Sequence, residues 1–255
     1  MITLKTEEEI RVMREGGKIL AEILRQLTAA IKPDISTFDL EELARKLISF
    51  YKVKPSFLNY QGFPAVLCVS VNDEVVHGVP SRTKILKESD VVSLDMGIFY
   101  GGFHADSALT VPVLGKLTYD QWAKAYPKLA KLIETAKEAL RVGVKEAKVG
   151  NRLGKISNTI QKIVEKNGFS VIRELVGHGV GRQLHEEPQI PNYGRPDEGP
   201  ILEEGMVLAI EPMISIGDWR LKREGMVYKT KDGSWAAHFE HTVAITKKGP
   251  LILTE

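Results

Sequence analysis

Two aspartates interrupt a stretch of apolar, strand-forming residues between positions 91 and 111. Within it, Gly101-Gly102 predicts a two-residue hairpin turn, because glycine accepts the positive φ angles that such turns require. In the register set by this turn Asp106 pairs with Gly97, so Asp95 and Asp106 lie on the same face of the hairpin. Their Cβ atoms are then about 7 Å apart or less. Like charges this close on a buried face are costly, so the fold must supply a proton or a cation between them.

The residues of the hairpin leave three interpretations of this aspartate pair open. A pair of divalent metals would neutralise both carboxylates. A proton shared between them, as in an aspartic dyad, would neutralise one. In the third interpretation the turn is longer and one aspartate faces solvent. Only the third leaves the hairpin without a buried pair of acids.

Two glutamates occur in similarly apolar surroundings later in the chain. Glu211 lies in VLAIEPMI, where Pro212 favours extended geometry at the residue before it. Glu240 lies in AAHFEHTVAIT. An unpaired carboxylate in such a place stays protonated or destabilises the fold, which again indicates a cation partner. The alternative is an edge strand whose glutamate faces water, and four such acids in one chain make that alternative less favourable.

The segment VGHGVGRQLHEEP carries His178 and His185. Its glycines do not follow the GxGxxG order, nothing matches GxxxxGK[ST], and an HExxH zinc motif is excluded because Gln189 stands four residues after His185. His178 follows a β-rich run and is placed to bind a metal; the alternative is a structural role. One histidine with four carboxylates favours hard or borderline divalent ions. No GxSxG elbow occurs and Cys68 lies in an apolar strand, so covalent catalysis by serine or cysteine is disfavoured.

Composition places the chain among ordinary globular proteins. Of the 255 residues, 43% are hydrophobic and 27% charged, and 35 Lys and Arg against 33 Asp and Glu leave a net charge of +2. This balance argues against a surface that coats nucleic acid. A single cysteine, Cys68, excludes an internal disulfide and fits a reducing compartment. The first residues lack an apolar signal segment and no run approaches a membrane span, so we expect a cytoplasmic protein that does not bind membranes.

Hydrophobic periodicity predicts an α+β protein made of two related halves. Helices are predicted over 6–31, 37–51, 119–141 and 151–167, the first with a capping box at Thr6 and Glu9. Strands are predicted over 65–71, 91–100, 103–111, 171–176, 206–216 and 235–246. The two helix starts recur after roughly 110 residues, which indicates an internal repeat. This order favours an antiparallel sheet with helices on one face and a site in the crevice between the halves.

Together these motifs resemble those of the methionine aminopeptidases, which have the pita-bread fold. The residues that match the metal ligands of that family, in order and context, are Asp95, Asp106 in GGFHAD, His178 in GHGVGR, Glu211 in AIEPM and Glu240 in FEHT. HGVP at 77–80 and HEEP at 185–188 match its two further active-site histidines. The resemblance covers nearly the whole chain. Its type I short form is most similar, because the segment between His185 and Glu211 is too short for the helical insert of type II.

The resemblance implies one catalytic domain over residues 1–255 with the pita-bread fold: α+β, two pseudo-symmetric halves, an antiparallel sheet, and helices on the outer face. It implies two divalent ions of Co, Mn, Fe, Zn or Ni. Their implied ligands are Asp106 and Glu240 as bridges, Asp95 on one ion, and His178 with Glu211 on the other. The ions would share a water and lower its pKa, so that hydroxide attacks the peptide carbonyl.

The resemblance also implies roles for the other site residues. Glu211 is expected to move a proton, His185 to contact the peptide carbonyl, and His77 to donate to the tetrahedral intermediate. The residues expected to line an apolar pocket for the methionine side chain are Tyr60, Phe63 and Cys68. The implied substrate is the N-terminal methionine of a nascent chain with a small second residue. A monomer that associates transiently with the ribosome, without nucleic-acid specificity, is expected.

Two positions depart from the family pattern. Met226 stands where many bacterial members carry tryptophan, and Leu184 where many carry phenylalanine, which predicts a more compliant methionine pocket. Two other functions stay open: cleavage of proline peptides, as in the related aminopeptidase P and prolidases, and a non-catalytic binding module on the same fold. The five intact ligands argue against the binding module. No role is assigned to His238 and His241, which flank Glu240.

Overall fold

Within residues 2–255, which the computed structural model describes, five α-helices cover one side of the protein. Their bounds are Glu7–Ala30 (α1), Thr37–Tyr51 (α2), Tyr119–Ala125 (α3), Pro127–Glu146 (α4) and Leu153–Lys166 (α5). The predicted capping box of Thr6 and Glu9 is present at the start of α1. None of these helices combines the length and the apolar character that a bilayer crossing requires. Three of the four predicted helices are confirmed, with ends that differ by about two residues at most.

The predicted helix over 119–141 is wrong in its continuity. The chain forms α3 and α4 with a break at Tyr126, whose φ of −125° and ψ of 61° are not helical. Pro127 opens α4, where its missing N–H group costs no helical hydrogen bond. A residue before proline avoids the α region for steric reasons. The apolar periodicity therefore continues through a break that the proline causes.

The strands form three sheets of nine, three and three strands. Their bounds are Lys54–Pro55 (β1), Cys68–Val71 (β2), Glu74–Val76 (β3), Val91–Tyr100 (β4), Phe103–Pro112 (β5), Ser170–Val171 (β6), Val176–Gly179 (β7), Glu186–Pro191 (β8), Val207–Ile210 (β9), Met213–Ser215 (β10), Leu221–Glu224 (β11), Val227–Thr230 (β12), Ala236–His238 (β13), Glu240–Thr246 (β14) and Gly249–Ile252 (β15). The large sheet has the order β1-β4-β5-β14-β9-β7-β8, with β2 also on β4 and β15 also on β14. All of its pairs are antiparallel. The β5–β14 pair joins the two halves of the chain.

Strands β4 and β5 form the predicted hairpin. Gly101 and Gly102 have φ angles of +57° and +93°, which the two-residue turn requires. Gly97 pairs with Asp106, as the sequence predicts. Asp95 and Asp106 are both buried. The interpretation with a longer turn and a solvent-facing aspartate is therefore wrong.

Three predicted strands are interrupted. The run 206–216 is divided into β9 and β10 at Glu211-Pro212, and the run 235–246 into β13 and β14 at Phe239. The run 171–176 is divided into β6 and β7. At each break the chain passes between the large sheet and the small sheet β13-β10-β6. Because proline cannot donate a ladder hydrogen bond, Glu211 stands at the end of a strand and not in the middle of one.

Two apolar cores attach the helices to the large sheet. One lies among α1, α2 and the first strands and includes Leu20, Leu27, Leu40, Leu94 and Met96. The other lies among α4, α5, β9 and β14 and includes Leu132, Ile156, Ile160, Leu208 and Val243. Both cores occupy the helix side of the sheet. The opposite face, called the inner face below, is therefore free to line a cleft.

The third sheet, β11-β12-β3, was not predicted. Its outer strand LKRE is charged and mostly exposed, so it lacks the apolar alternation from which strands are recognised. The β11–β12 hairpin turns at Gly225, whose φ is +62°. This hairpin brings Met226 and Tyr228 to the wall of the cleft.

Candidate metal centre

A row of paired residues crosses the inner face of the large sheet. Cys68 on β2 pairs with Asp95 on β4. Asp95 pairs with Ala108 on β5, which in turn pairs with Glu240 on β14. Directly paired residues point to the same face, and Asp106 joins them because it lies two residues from Ala108. The sheet thus gathers three acids that are far apart in the sequence.

Side-chain hydrogen bonds hold the two halves together at this row. The backbone N–H of Asp106 donates to Thr242 Oγ1 (2.9 Å), and that hydroxyl donates to the Asp106 carbonyl oxygen (2.8 Å). Ser107 Oγ donates to the carbonyl oxygen of Glu240 (2.8 Å). These buried bonds supplement the two residue pairs of the β5–β14 ladder. They therefore set the position of Asp106 relative to Glu240.

His178 and Glu211 complete the cluster from the second half. His178 Nε2 lies 3.7 Å from Glu211 Oε1 and 4.0 Å from Asp106 Oδ2. The Nδ1 atom of His178 lies 2.8 Å from the carbonyl oxygen of Gly179, which accepts its proton and so selects the tautomer with a free Nε2. All five predicted ligands are therefore brought together on the inner face.

The donor set fits a divalent cation. Ligand atoms of Asp106, His178 and Glu240 lie within 4.8 Å of one another. Within residues 2–255, one carboxylate oxygen each of Asp95, Asp106 and Glu240 is buried without a hydrogen-bond partner. Among residues 2–255, histidines are the only basic side chains with a nitrogen within 4.0 Å of a carboxylate oxygen of the cluster. Buried acids without lysine or arginine partners are the arrangement that a cation neutralises.

Burial and mutual repulsion control the charge of these acids. Burial, with the nearby Asp106 charge, raises the pKa of Asp95 well above its ordinary value. The pKa values of Glu211 and Glu240 are raised by the same causes. Burial raises the pKa of Asp106 to about 7. Without a cation the cluster therefore holds protons, as in the shared-proton interpretation, and a bound cation would displace them.

Adding excess Mn²⁺ to the metal-free protein is expected to raise its melting temperature by about 5–10 °C. Ligand at 100 times its Kd contributes about 2.7 kcal/mol, and a chain of this size gains about 2–4 °C for each kcal/mol. The shift should grow between pH 7 and pH 8. A carboxyl whose folded pKa is raised stabilises the fold below its unfolded pKa of about 4, and this contribution is lost as the pH rises through the folded pKa. The metal-free protein therefore loses stability in this window, while ionised carboxylates bind the cation better.

Histidine titration does not contribute to the change between pH 7 and pH 8, because above their unfolded pKa of about 6.5 the histidines are neutral in both the folded and the unfolded protein. Burial lowers the pKa of folded His178 further, to about 3. Scanning fluorimetry in EDTA and in MnCl₂ measures the shift, and Asp106→Asn should abolish it. A shift that is equal or smaller at pH 8 would contradict the prediction.

The cluster lies in a cleft of about 940 Å³ that also contains the predicted pocket residues. Tyr60, Phe63 and Cys68 belong to one apolar cluster with Leu184 and Met226. Burial, with the neighbouring acids, raises the pKa of the Cys68 thiol well above its ordinary value. The thiol therefore stays protonated and forms part of the wall, in keeping with the expectation that cysteine nucleophilic catalysis is disfavoured.

His185 lies between the pocket and the metal ligands. Its Nδ1 is 2.8 Å from the Tyr60 hydroxyl oxygen, and its ring centroid is 4.3 Å from that of His178. Burial lowers the pKa of His185. A neutral ring whose Nδ1 is occupied leaves Nε2 available to a molecule in the cleft.

His77 also lines the cleft, edge-on to Tyr228 at 5.6 Å between ring centroids. Its φ of +57° lies in the left-handed region, which is strained for a residue other than glycine. Burial is the main cause that lowers the pKa of His77 to about 4. The ring is therefore neutral at pH 7 and extends from an unusual backbone conformation.

A buried ion pair that the sequence does not predict lies next to His185. Lys5 Nζ lies 2.5 Å from Glu186 Oε2, and both side chains are about nine-tenths buried. Glu186 also accepts hydrogen bonds from Thr3 Oγ1 and from the backbone N–H of Gln183. The N-terminal segment thus holds the loop that carries His185. No local signal predicts this pair, since its two members are 181 positions apart.

Comparison with known proteins agrees with this geometry. A model of metallopeptidase family M24 matches residues 11–247. The methionine aminopeptidase of Clostridium acetobutylicum is 46% identical over 256 residues, covering 100% of this chain and 99% of that protein. Methionine aminopeptidase 1 of Bacillus subtilis is 48% identical over 256 residues with the same coverage.

Solved structures also match. The crystal structure of methionine aminopeptidase from Thermotoga maritima has a TM-score of 0.93 and 46% identity, with 100% of both chains covered. A prolidase from Pyrococcus furiosus, 24% identical over 99% of this chain and 65% of that chain, has a TM-score of 0.77 and shares the fold alone. The predicted α+β pita-bread fold is confirmed. The chain therefore belongs to metallopeptidase family M24 and, within it, to the methionine aminopeptidases.

Proposed function

We propose that this protein is a metal-dependent aminopeptidase that removes the N-terminal methionine of peptides and nascent proteins whose second residue is small. One observation carries the proposal: a buried set of metal ligands and an apolar side-chain pocket lie in the same cleft. The full-length relatives are named for this activity.

The ligand set is proposed to hold two divalent ions. Asp106 and Glu240 would be shared by both ions, Asp95 would bind one, and His178 with Glu211 would bind the other. Carboxylate oxygens with one imidazole suit Mn, Fe or Co, and also Zn or Ni. When bound, the ions polarise the scissile carbonyl and supply a nucleophile from water near neutral pH. The unpartnered oxygens of Asp95, Asp106 and Glu240 support this assignment.

Glu211 is the group proposed to carry the proton. It stands at the end of β9, where Pro212 ends the ladder and its side chain lies beside His178. A Glu211 oxygen accepts a proton from the attacking water and delivers it to the departing amine nitrogen. Burial and the neighbouring Asp95 and Asp106 charges raise the pKa of Glu211 in the metal-free protein.

The two neutral histidines orient the peptide. With Nδ1 occupied by the Tyr60 hydroxyl, His185 presents Nε2 to the carbonyl oxygen of the peptide. His77 donates its N–H to the oxygen that gains negative charge in the tetrahedral intermediate. Because both rings are uncharged at pH 7, these contacts add no net charge to the cleft.

The apolar cluster receives the methionine side chain. The thioether is flexible and polarisable and packs well against aromatic edges, here those of Tyr60 and Phe63. Cys68, Leu184 and Met226 contribute the rest of the wall. Leu184 and Met226 are flexible, so we propose that the pocket is more compliant than one closed by rigid aromatic rings.

We propose further that residues 1–255 act as one catalytic domain, in a cytoplasmic monomer that meets nascent chains by transient association with the ribosome. The single sheet shared by both halves supports one domain. The only cysteine is free and buried, which fits a reducing compartment. Analytical ultracentrifugation, alone and with ribosomes, tests the assembly state.

Activity against three peptides tests the proposed function. The protein is stripped of metal and restored with Mn²⁺, Co²⁺ or Fe²⁺. Met-Ala-Ser, Met-Leu-Ser and Ala-Pro-Ala are then compared. We expect methionine release from Met-Ala-Ser only, because a small second residue fits beside the ligands. Rapid cleavage of Ala-Pro-Ala alone would favour a proline peptidase, and failure to bind any divalent ion would leave only a binding module.

A further inference from the structure

His238 is a buried histidine without an assigned role. It is the last residue of β13 and is 1% exposed. Its backbone is held on both sides by Thr110 Oγ1, which accepts from the His238 N–H (2.8 Å) and donates to the His238 carbonyl oxygen (2.7 Å). The backbone that carries the ring is therefore held at the edge of the metal-ligand set.

The ring of His238 faces Glu211. Its Nε2 lies 3.3 Å from Glu211 Oε2. Neither ring nitrogen has a hydrogen-bond partner within residues 2–255, and the Nε2–Oε2 contact does not meet hydrogen-bond geometry. A buried imidazole with both nitrogens unpaired is costly, so a hydrogen bond to this neighbouring oxygen would be favourable. Glu211 is thus the partner that the geometry offers to His238.

The two oxygens of Glu211 have different neighbours. Oε1 lies 3.7 Å from His178 Nε2, on the side of the other ligands. Oε2 lies on the side of His238. The backbone carbonyl of Glu211 accepts a hydrogen bond from Asn192 Nδ2 (2.9 Å), so the main chain at this strand end is also held. The carboxylate group of Glu211 can still rotate, and a hydrogen bond to His238 would restrict that rotation.

We propose that His238 is a positioning residue, which donates Nε2–H to Glu211 Oε2 and thereby directs Oε1 toward the metal. The proposal rests on the proposed function, in which Glu211 is a metal ligand. Groups of this kind, which orient ligands without touching the metal, change metal affinity by about 10–100-fold when they are removed. The same bond would pair one of the unpaired ring nitrogens of His238.

Three substitutions separate donation by Nε2 from a packing role. The side-chain nitrogen of glutamine takes the place of imidazole Nε2, whereas that of asparagine takes the place of Nδ1. His238→Leu removes both ring nitrogens, and with them the Nε2 donor, and fills much of the ring volume. We expect Mn²⁺ affinity, measured by calorimetric titration of the metal-free protein, to fall about 10–100-fold in His238→Leu and His238→Asn. His238→Gln should stay within about threefold of wild type, since it keeps the donor.

Unfolding without metal supplies the second measurement. His238→Leu removes the buried Nδ1 that has no partner together with the proposed Nε2 donor, so its metal-free melting temperature should be close to that of the wild type, while its Mn²⁺-induced shift is smaller. The matched control is His241→Asn. His241 Nδ1 lies 2.9 Å from Thr254 Oγ1, and asparagine can keep that contact, so affinity should be unchanged.

The outcomes distinguish this proposal from the proposed function. A wild-type protein that binds no divalent ion would overturn both. Normal binding by the wild type with equal affinity in all His238 variants would overturn the role of His238 alone. Rescue by asparagine but not glutamine, or by neither, would also contradict donation from Nε2.

Discussion

Replacing Glu240 with glutamine should lower the turnover of Met-Ala-Ser by at least about 10³-fold, equivalent to about 4 kcal/mol of transition-state stabilisation. Glu240 is 2% exposed and contributes to the convergent set of ligand atoms with Asp106 and His178. Glutamine keeps the shape of the side chain but removes its charge, so the set can no longer neutralise two ions. The measurement is kcat at saturating peptide, together with the metal content after dialysis.

Folding should survive this substitution. Burial and the charges of Asp106 and Glu211 raise the pKa of Glu240, so the metal-free fold favours its neutral form. A neutral amide resembles that form, so the metal-free melting temperature should not fall. Glu146→Gln is the control, because Glu146 pairs with Lys155 on the helix side of the sheet (3.2 Å) and should tolerate the change. Near-normal turnover by Glu240→Gln would contradict the proposal that activity requires two ions bound by this ligand set.

Replacing His77 with alanine should lower kcat by about 10²–10³-fold with the metal content unchanged, the usual cost of one donor to a developing oxyanion. The loss should be the same at pH 6 and pH 8. Because the pKa of His77 is lowered to about 4 by burial, the ring keeps the same neutral state over that range. Stopped-assay kinetics at both pH values, with metal analysis of the same samples, measure the effect.

The unusual backbone of His77 makes a rescue experiment possible. Asparagine tolerates a positive φ better than other residues with a side-chain donor, so His77→Asn should recover part of the lost activity. His104→Ala is the matched control, since His104 Nδ1 pairs with Ser56 Oγ (2.8 Å) and His104 is not among the residues that line the cleft. A His77→Ala enzyme with normal kcat but raised KM would instead assign His77 to uniform substrate binding.

Local patterns predicted those parts of the site that lie within one segment. The Gly101-Gly102 turn determined the register of β4 and β5, and this register placed Asp95 and Asp106 on one face. Side-chain alternation has a period of two, so one turn orients both carboxylates without any other part of the fold. The helix start at Thr6 was equally local, because the capping side chain bonds to a backbone only three residues away.

The strand breaks were not predictable in this way. An unbroken strand over 206–216 would have kept Glu211 in a ladder, whereas the chain leaves the large sheet there and begins β10 in another sheet. Alternation around Glu240 would place His238 on the same face as that glutamate. Nothing in the sequence, however, pairs His238 with Glu211, since that contact depends on how β13 and β10 lie beside each other.

By itself, the sequence determined the turn chemistry, the two-residue and helical periodicities, and the presence of four acids in apolar surroundings that require neutralisation. The resemblance to a known family added the expectation that these acids and His178 form one set of metal ligands. Only the tertiary structure decided which acids meet, through the β5–β14 pairing between the halves. It also decided which side chains lie beside the site residues: His238 lies beside Glu211, and Lys5 pairs with Glu186 next to His185. The physical reason is that periodicity and capping act between neighbours along the chain. The charge state and orientation of a buried carboxylate depend instead on the atoms around it, which long-range packing supplies.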